Sequence, residues 1–310
     1  MRPNLKRIFF GMLILGLILS ACSTARQTGE PQPDKLKVLA TTTLVADVVR
    51  HAGGPTVEVS ALLPIGTDPH SFQPTPQDMA RIADADLIFS NGAGLETFLE
   101  PMIQNAGSQA QVVPVSQGIQ LLQSQDVHEA AGESTGGDPH TWFDPNNVLV
   151  WTENIQKKLS EVDPAHAQDY ARSTQQYQQQ LKELDRWISE QVAQVPPDQR
   201  LLVSDHVELT YFAKRYGFQE LGAVIPGYST LSEPSAQEIA NLEDTIRKTG
   251  VKAIFVGKTV NPTLEQRVAQ DTGAKIVYLY TGSLSGPDGP AATYLDFMHY
   301  DVSAIVSALK

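Results

Sequence analysis

The chain has 310 residues, 41% of them hydrophobic, and a formal net charge of −12 with a single cysteine. An acidic balance of this size repels nucleic acid and anionic lipid surfaces and favours cations. One cysteine excludes an intrachain disulfide, an iron–sulfur cluster and a thiolate zinc site.

The first seven residues, MRPNLKR, are basic with no acid, and residues 8–19 are an apolar run too short for a comfortable membrane span. Small residues then precede Cys22, so residues 1–21 read as a secretory signal peptide. The stretch Leu19–Cys22, LSAC, resembles the bacterial lipobox, which implies cleavage before Cys22 and lipidation of its thiol. Loss of Arg2, Lys6 and Arg7 takes the charge to about −15. Residues 22–35 are polar, contain Pro and Gly, and read as a flexible tether. About 275 residues remain, a length that favours two domains.

Residues 35–42 and 56–64 read as strands with the helical pattern 44–53 between them. Thr75 is a candidate N-cap, with Pro76 at the first helical position of a helix reaching Ala85. Strands are expected at 86–92 and 111–116, separated by an amphipathic helix over 95–107. Such alternation indicates parallel βαβ units and an N-terminal α/β lobe over 36–162. Residues 123–137 form an acidic, non-periodic loop that contains His128. A helix then follows from Asp144 to Val162. Residues 163–195 read as almost wholly helical, with an Asp163 cap and apolar positions at Tyr170, Tyr177, Leu181, Leu184, Ile188 and Val192. At about thirty residues that helix would span roughly 45 Å and is a candidate backbone between two lobes. Residues 196–310 repeat the strand–helix alternation, giving a C-terminal α/β lobe.

There is no phosphate-binding GxxxxGK[ST], no GxGxxG after a strand and no GxSxG elbow. The seven histidines carry more information. His51, His166 and His299 lie on helices, where an ordinary surface or helix-end role is expected. His70, His140 and His206 instead lie on connections that end strands, where open parallel sheets bind ligands. His70 and His140 each stand in an Asp-Pro-His triplet, whose proline fixes its own φ and restricts the aspartate before it. That stiffening suits a metal ligand, because less conformational freedom is lost on binding.

Five stretches, residues 66–92, 138–147, 204–218, 232–256 and 272–277, carry a resemblance in the correct order across the mature chain. Together they resemble the zinc/manganese solute-binding lipoproteins of bacterial ATP-binding-cassette importers. The resemblance implies two α/β lobes joined by one long helix, with the metal in the interlobe cleft. It also implies that His70 and His140 are ligands from the first lobe and His206 a ligand from the second. Two positions depart from the family pattern. Gly257 stands where an acid is common, and Gly282 stands where the fourth ligand is commonly Asp. Water, Asp288 or Glu208 are the remaining candidates for that fourth position.

Three imidazoles without a matched carboxylate favour Zn²⁺, with Mn²⁺ or Fe²⁺ as alternatives. The expected function is capture of the ion at the outer face of the membrane and delivery to a permease, by a lipid-anchored monomer with little lobe closure. A zinc hydrolase with Glu208 as base is a rival, because three histidines and an open position also describe a catalytic site. A metal chaperone or adhesin without a permease is the third reading.

Overall fold

The computed structural model describes residues 35–123 and 136–310. Cys22, the signal peptide, most of the tether and His128 lie outside the described residues. The first half contains β1 (Leu36–Ala40), α1 (Thr43–Gly53), β2 (Val57–Ala61), α2 (Pro76–Asp84), β3 (Leu87–Ser90), α3 (Leu99–Ala106) and β4 (Gln111–Pro114). Two long helices follow, α4 (Pro145–Val162) and α5 (Ala167–Val192). The second half contains β5 (Leu201–His206), α6 (Thr210–Tyr216), β6 (Gln219–Ile225) and α7 (Ala236–Thr249). It ends with β7 (Ala253–Gly257), α8 (Thr263–Thr272), β8 (Lys275–Leu279) and α9 (Tyr294–Leu309).

The strands form two four-stranded sheets, ordered β2-β1-β3-β4 and β6-β5-β7-β8. All pairs are parallel. The two sheets thus share one topology, and the α/β fold of two parallel-sheet lobes agrees with the reading of the sequence. β3 and β7 are buried along their whole length, which is why LIFS and AIFVG read as continuous apolar runs rather than alternating ones.

Local sequence sets most helix starts. Thr75 closes a capping box with Asp78 at the start of α2, and Ser235 closes another with Glu238 at the start of α7. Asp144 caps α4, with Pro145 in its first turn. Two helices are shorter than their sequence patterns. α3 begins at Leu99 rather than Leu95, because Pro101 lacks an N–H and is tolerated only in the first turn. Glu96 has another use: its carboxylate accepts the N–H groups of Asn91 (2.6 Å) and Gly92 (3.0 Å). α5 begins at Ala167, after a 3₁₀ turn over Pro164–His166, and spans 26 residues, or about 39 Å. Asp163 does not cap it but accepts from the Tyr170 hydroxyl at 2.7 Å and pairs with His166 Nδ1 at 2.7 Å.

The apolar stripe expected on α5 is buried throughout, at Tyr170, Tyr177, Leu181, Leu184, Ile188 and Val192. These residues belong to one continuous core that takes side chains from both sheets and from α1, α4, α5 and α9. Smaller clusters cover the outer face of each sheet. The C-terminal helix crosses back toward the first half: the Asp47 carboxylate of α1 accepts from Tyr294 N, at the start of α9, at 2.9 Å. Among the described residues, no helix is long and apolar enough to cross a membrane.

Candidate metal centre

The three histidines come from loops or strand ends on the carboxyl side of the sheets. His70 lies on the connection from β2 to α2, His140 on that from β4 to α4, and His206 is the last residue of β5. Their imidazoles converge. His140 Nε2 lies 3.1 Å from His70 Nε2 and 3.2 Å from His206 Nε2. A tetrahedral Zn²⁺ with Zn–N bonds of about 2.0–2.1 Å holds its nitrogens ~3.3–3.4 Å apart. The three nitrogens are thus spaced to share one small cation, and a slight expansion would seat it.

Each Asp-Pro-His triplet folds differently. In both, the aspartate Oδ1 accepts from the histidine backbone N–H, at 3.0 Å for Asp68 and 2.8 Å for Asp138. Asp138 Oδ1 also lies 2.8 Å from His140 Nδ1, so it fixes the ring and leaves Nε2 facing the site. Asp68 does not reach its own ring. Its Oδ2 accepts from Ser71 Oγ at 2.8 Å and from Thr230 Oγ1, in the other half, at 2.6 Å. His206 is held as His140 is, with Asp205 Oδ1 2.7 Å from its Nδ1. Asp205 Oδ2 in turn accepts from Gly257 N at 2.7 Å. Trp142 packs edge-on to His140 at 5.2 Å and donates from Nε1 to the Thr281 carbonyl at 3.1 Å.

Burial sets the protonation states. Burial, then the facing rings of His140 and His206, hold His70 well below the usual imidazole range. Burial and His206 do the same to His140. His206 goes the other way: burial opposes its charge, but Asp205 and more distant acids outweigh burial and raise it. Burial pushes Asp138 up to about 7. Glu208 is raised well above the carboxylate range by burial, then by Asp205 and Asp301.

The two departures have a spatial cause. A Cβ at Gly257 would stand 2.4 Å from Thr281 Oγ1 and 3.2 Å from Asp205 Oδ2, so an acid here would displace the support of His206. A Cβ at Gly282 would stand 2.6 Å from Pro69 Cδ, the proline of the first triplet. Asp288 is exposed in a turn and is not among the residues lining the cleft. Glu208 is 1% exposed, and its Oε2 lies 3.6 Å from His206 Nε2.

The other described histidines have ordinary roles. His51 stacks on Tyr177 with Nδ1 2.9 Å from the Asp47 carbonyl, His166 pairs with Asp163, and His299 packs against Trp187. Sequence reasoning missed the orienting acids Asp138 and Asp205. Their signal was present as an acid two residues and one residue before a candidate ligand.

The model of the family described as "Zinc-uptake complex component A periplasmic" matches residues 38–308. The chain belongs to this family. It is 33% identical over 303 residues to the "Manganese-binding lipoprotein MntA" of Halalkalibacterium halodurans, covering 97% of each chain. It is 31% identical over 298 residues to the "Iron-binding protein YfeA" of Yersinia pestis, covering 96% of this chain and 93% of that protein. Among solved structures, the periplasmic zinc binding protein TroA from Treponema pallidum aligns with a TM-score of 0.80 at 28% identity, over 89% of this chain and 99% of that one.

Proposed function

We propose that the chain is the extracytoplasmic receptor of an ATP-binding-cassette importer, that it captures Zn²⁺ through His70, His140 and His206, and that it delivers the ion to a membrane permease. The chain is a metal-binding substrate-binding protein and not an enzyme, as its relatives are. Residues 36–162 and 196–310 act as the two lobes, 163–195 as the rod between them, and lipidated Cys22 as the anchor of a monomer. The observation that carries the reading is the convergence of three Nε2 atoms, 3.1 and 3.2 Å apart, from two halves of the chain.

The choice of zinc rests on the donor set. Three neutral imidazoles suit a four-coordinate ion of intermediate softness, whereas Mn²⁺ prefers more oxygen donors and a higher coordination number. The relatives named for manganese and iron make this the point to test. Purified protein stripped of metal is titrated with Zn²⁺ and Mn²⁺ in competition, and bound metal is measured. Zinc is expected to displace manganese at equimolar concentration. Retention of manganese under those conditions would replace zinc by manganese in the reading and leave the receptor role intact.

A further inference from the structure

We propose that Glu208 supplies the fourth ligand to the cargo ion, taking the place of a carboxylate that the loop after β8 cannot present. The proposal rests on the three-histidine reading above.

Three observations meet at this residue. Glu208 lines the cleft together with His70, His140 and His206, and it is 1% exposed. Its Oε1 is buried without a hydrogen-bond partner. A buried carboxyl oxygen left unpaired costs free energy unless a ligand or cation completes it. Finally, the rival position is closed, because the first side-chain atom at Gly282 would fall 2.6 Å from the Pro69 ring. Pro69 is rigid and precedes a ligand histidine, so it cannot withdraw without moving His70.

The three histidines form one cluster at ligand distance, and Asp205, His206 and Glu208 form a second that shares His206. Rotation of the Glu208 side chain toward His70 and His140 joins the two clusters into a single His₃Glu set. The charge balance favours that step. A divalent ion held by three neutral imidazoles brings two positive charges into a buried site, offset in part by Asp205 behind the His206 ring, and a directly bound carboxylate offsets more of that charge. The second half of the chain then contributes both of its ligands from residues 206–208, next to Asp205, which holds the His206 ring. A closed four-ligand shell also leaves no position for an activated water, as suits a carrier.

The test uses the full mature chain with Zn²⁺ and with Co²⁺ as a spectroscopic substitute. E208Q is expected to bind Zn²⁺ at least tenfold more weakly and to shift the visible Co²⁺ bands, while a crystal structure of the Zn²⁺-loaded wild type places a Glu208 oxygen ~2.0–2.2 Å from the ion. Unchanged affinity and unchanged Co²⁺ bands in E208Q would overturn the proposal, as would a loaded wild-type structure with the Glu208 oxygens beyond about 3 Å. The loaded structure decides the question even if E208Q does not fold. A wild type that binds neither ion overturns the three-histidine reading itself, a result distinct from failure of Glu208 alone.

Discussion

Replacement of His140 by alanine is expected to lower Zn²⁺ affinity by about 10²- to 10³-fold, measured by chelator competition. A tight four-ligand zinc site is worth roughly 10–16 kcal/mol, or about 3 kcal/mol for each ligand. His140 should have the largest single effect of the three, because both other Nε2 atoms lie within 3.2 Å of its own. The change also strips the ring from Asp138 Oδ1, beside an Oδ2 that has no partner. His51→Ala is the control. His51 lies on α1, stacked on Tyr177, and its loss should leave affinity unchanged. Equal affinities for wild type and His140→Ala would remove the site from this cleft.

The second large effect is on pH. A histidine must be neutral to bind metal, so protons compete for each ring that is charged in the empty protein. His70 and His140 are held well below the usual range by burial and by facing rings, so they are expected to meet a metal ion already neutral. His206 is raised against the cost of burial by Asp205, and Glu208 is raised by burial, so these two groups are expected to hold the competing protons. Below the raised His206 pKa, affinity should therefore fall roughly tenfold per pH unit for the His206 proton, and by up to a further tenfold per unit where Glu208 must also lose its proton to bind, the signature of one or two protons displaced rather than three. Above the pKa values of both groups, the slope should vanish. Asp205→Asn is expected to weaken binding about 10- to 100-fold through loss of ring orientation, and to move the onset of the slope to lower pH. Zinc titrations from pH 5.5 to 8.5 on both proteins check this. A slope near three, or a flat profile in the wild type, would refute the assignment of His206.

Much of this was legible in the chain. Alternating strands and helices gave the two parallel-sheet lobes, and placing the histidines at strand ends singled out three of seven. What sequence could not supply was distance and rotamer. The two Asp-Pro-His triplets are alike as letters, yet Asp138 holds its own imidazole and Asp68 reaches Thr230 across the cleft. That difference arises from what each loop packs against. The reasons for glycine at 257 and 282 were equally hidden, because they lie in Thr281 and Pro69, which are distant in sequence from at least one of them. Helix length was misjudged where a local device intervened, as with Pro101 in α3 and the 3₁₀ turn before α5. Asp288 and Glu208 are both carboxylic side chains in the sequence, and burial and closeness to His206 separate them.

The single core that threads both sheets has a thermodynamic consequence. Ala40 and Phe89 of the first sheet, Leu202 and Phe255 of the second, and the α5 stripe are parts of one packed cluster. Neither half can lose its packing without opening the other's, so the two should melt as one cooperative unit despite having separate sheets. Calorimetry should show one transition, with van't Hoff and calorimetric enthalpies in agreement. Saturating metal should move that transition as a whole, by about 2.7 kcal/mol at a hundredfold excess of free ion over its dissociation constant. Two transitions, with only one responding to metal, would mean that the halves fold independently. In a one-unit protein the cargo acts on the entire fold, and its arrival is registered far from the cleft.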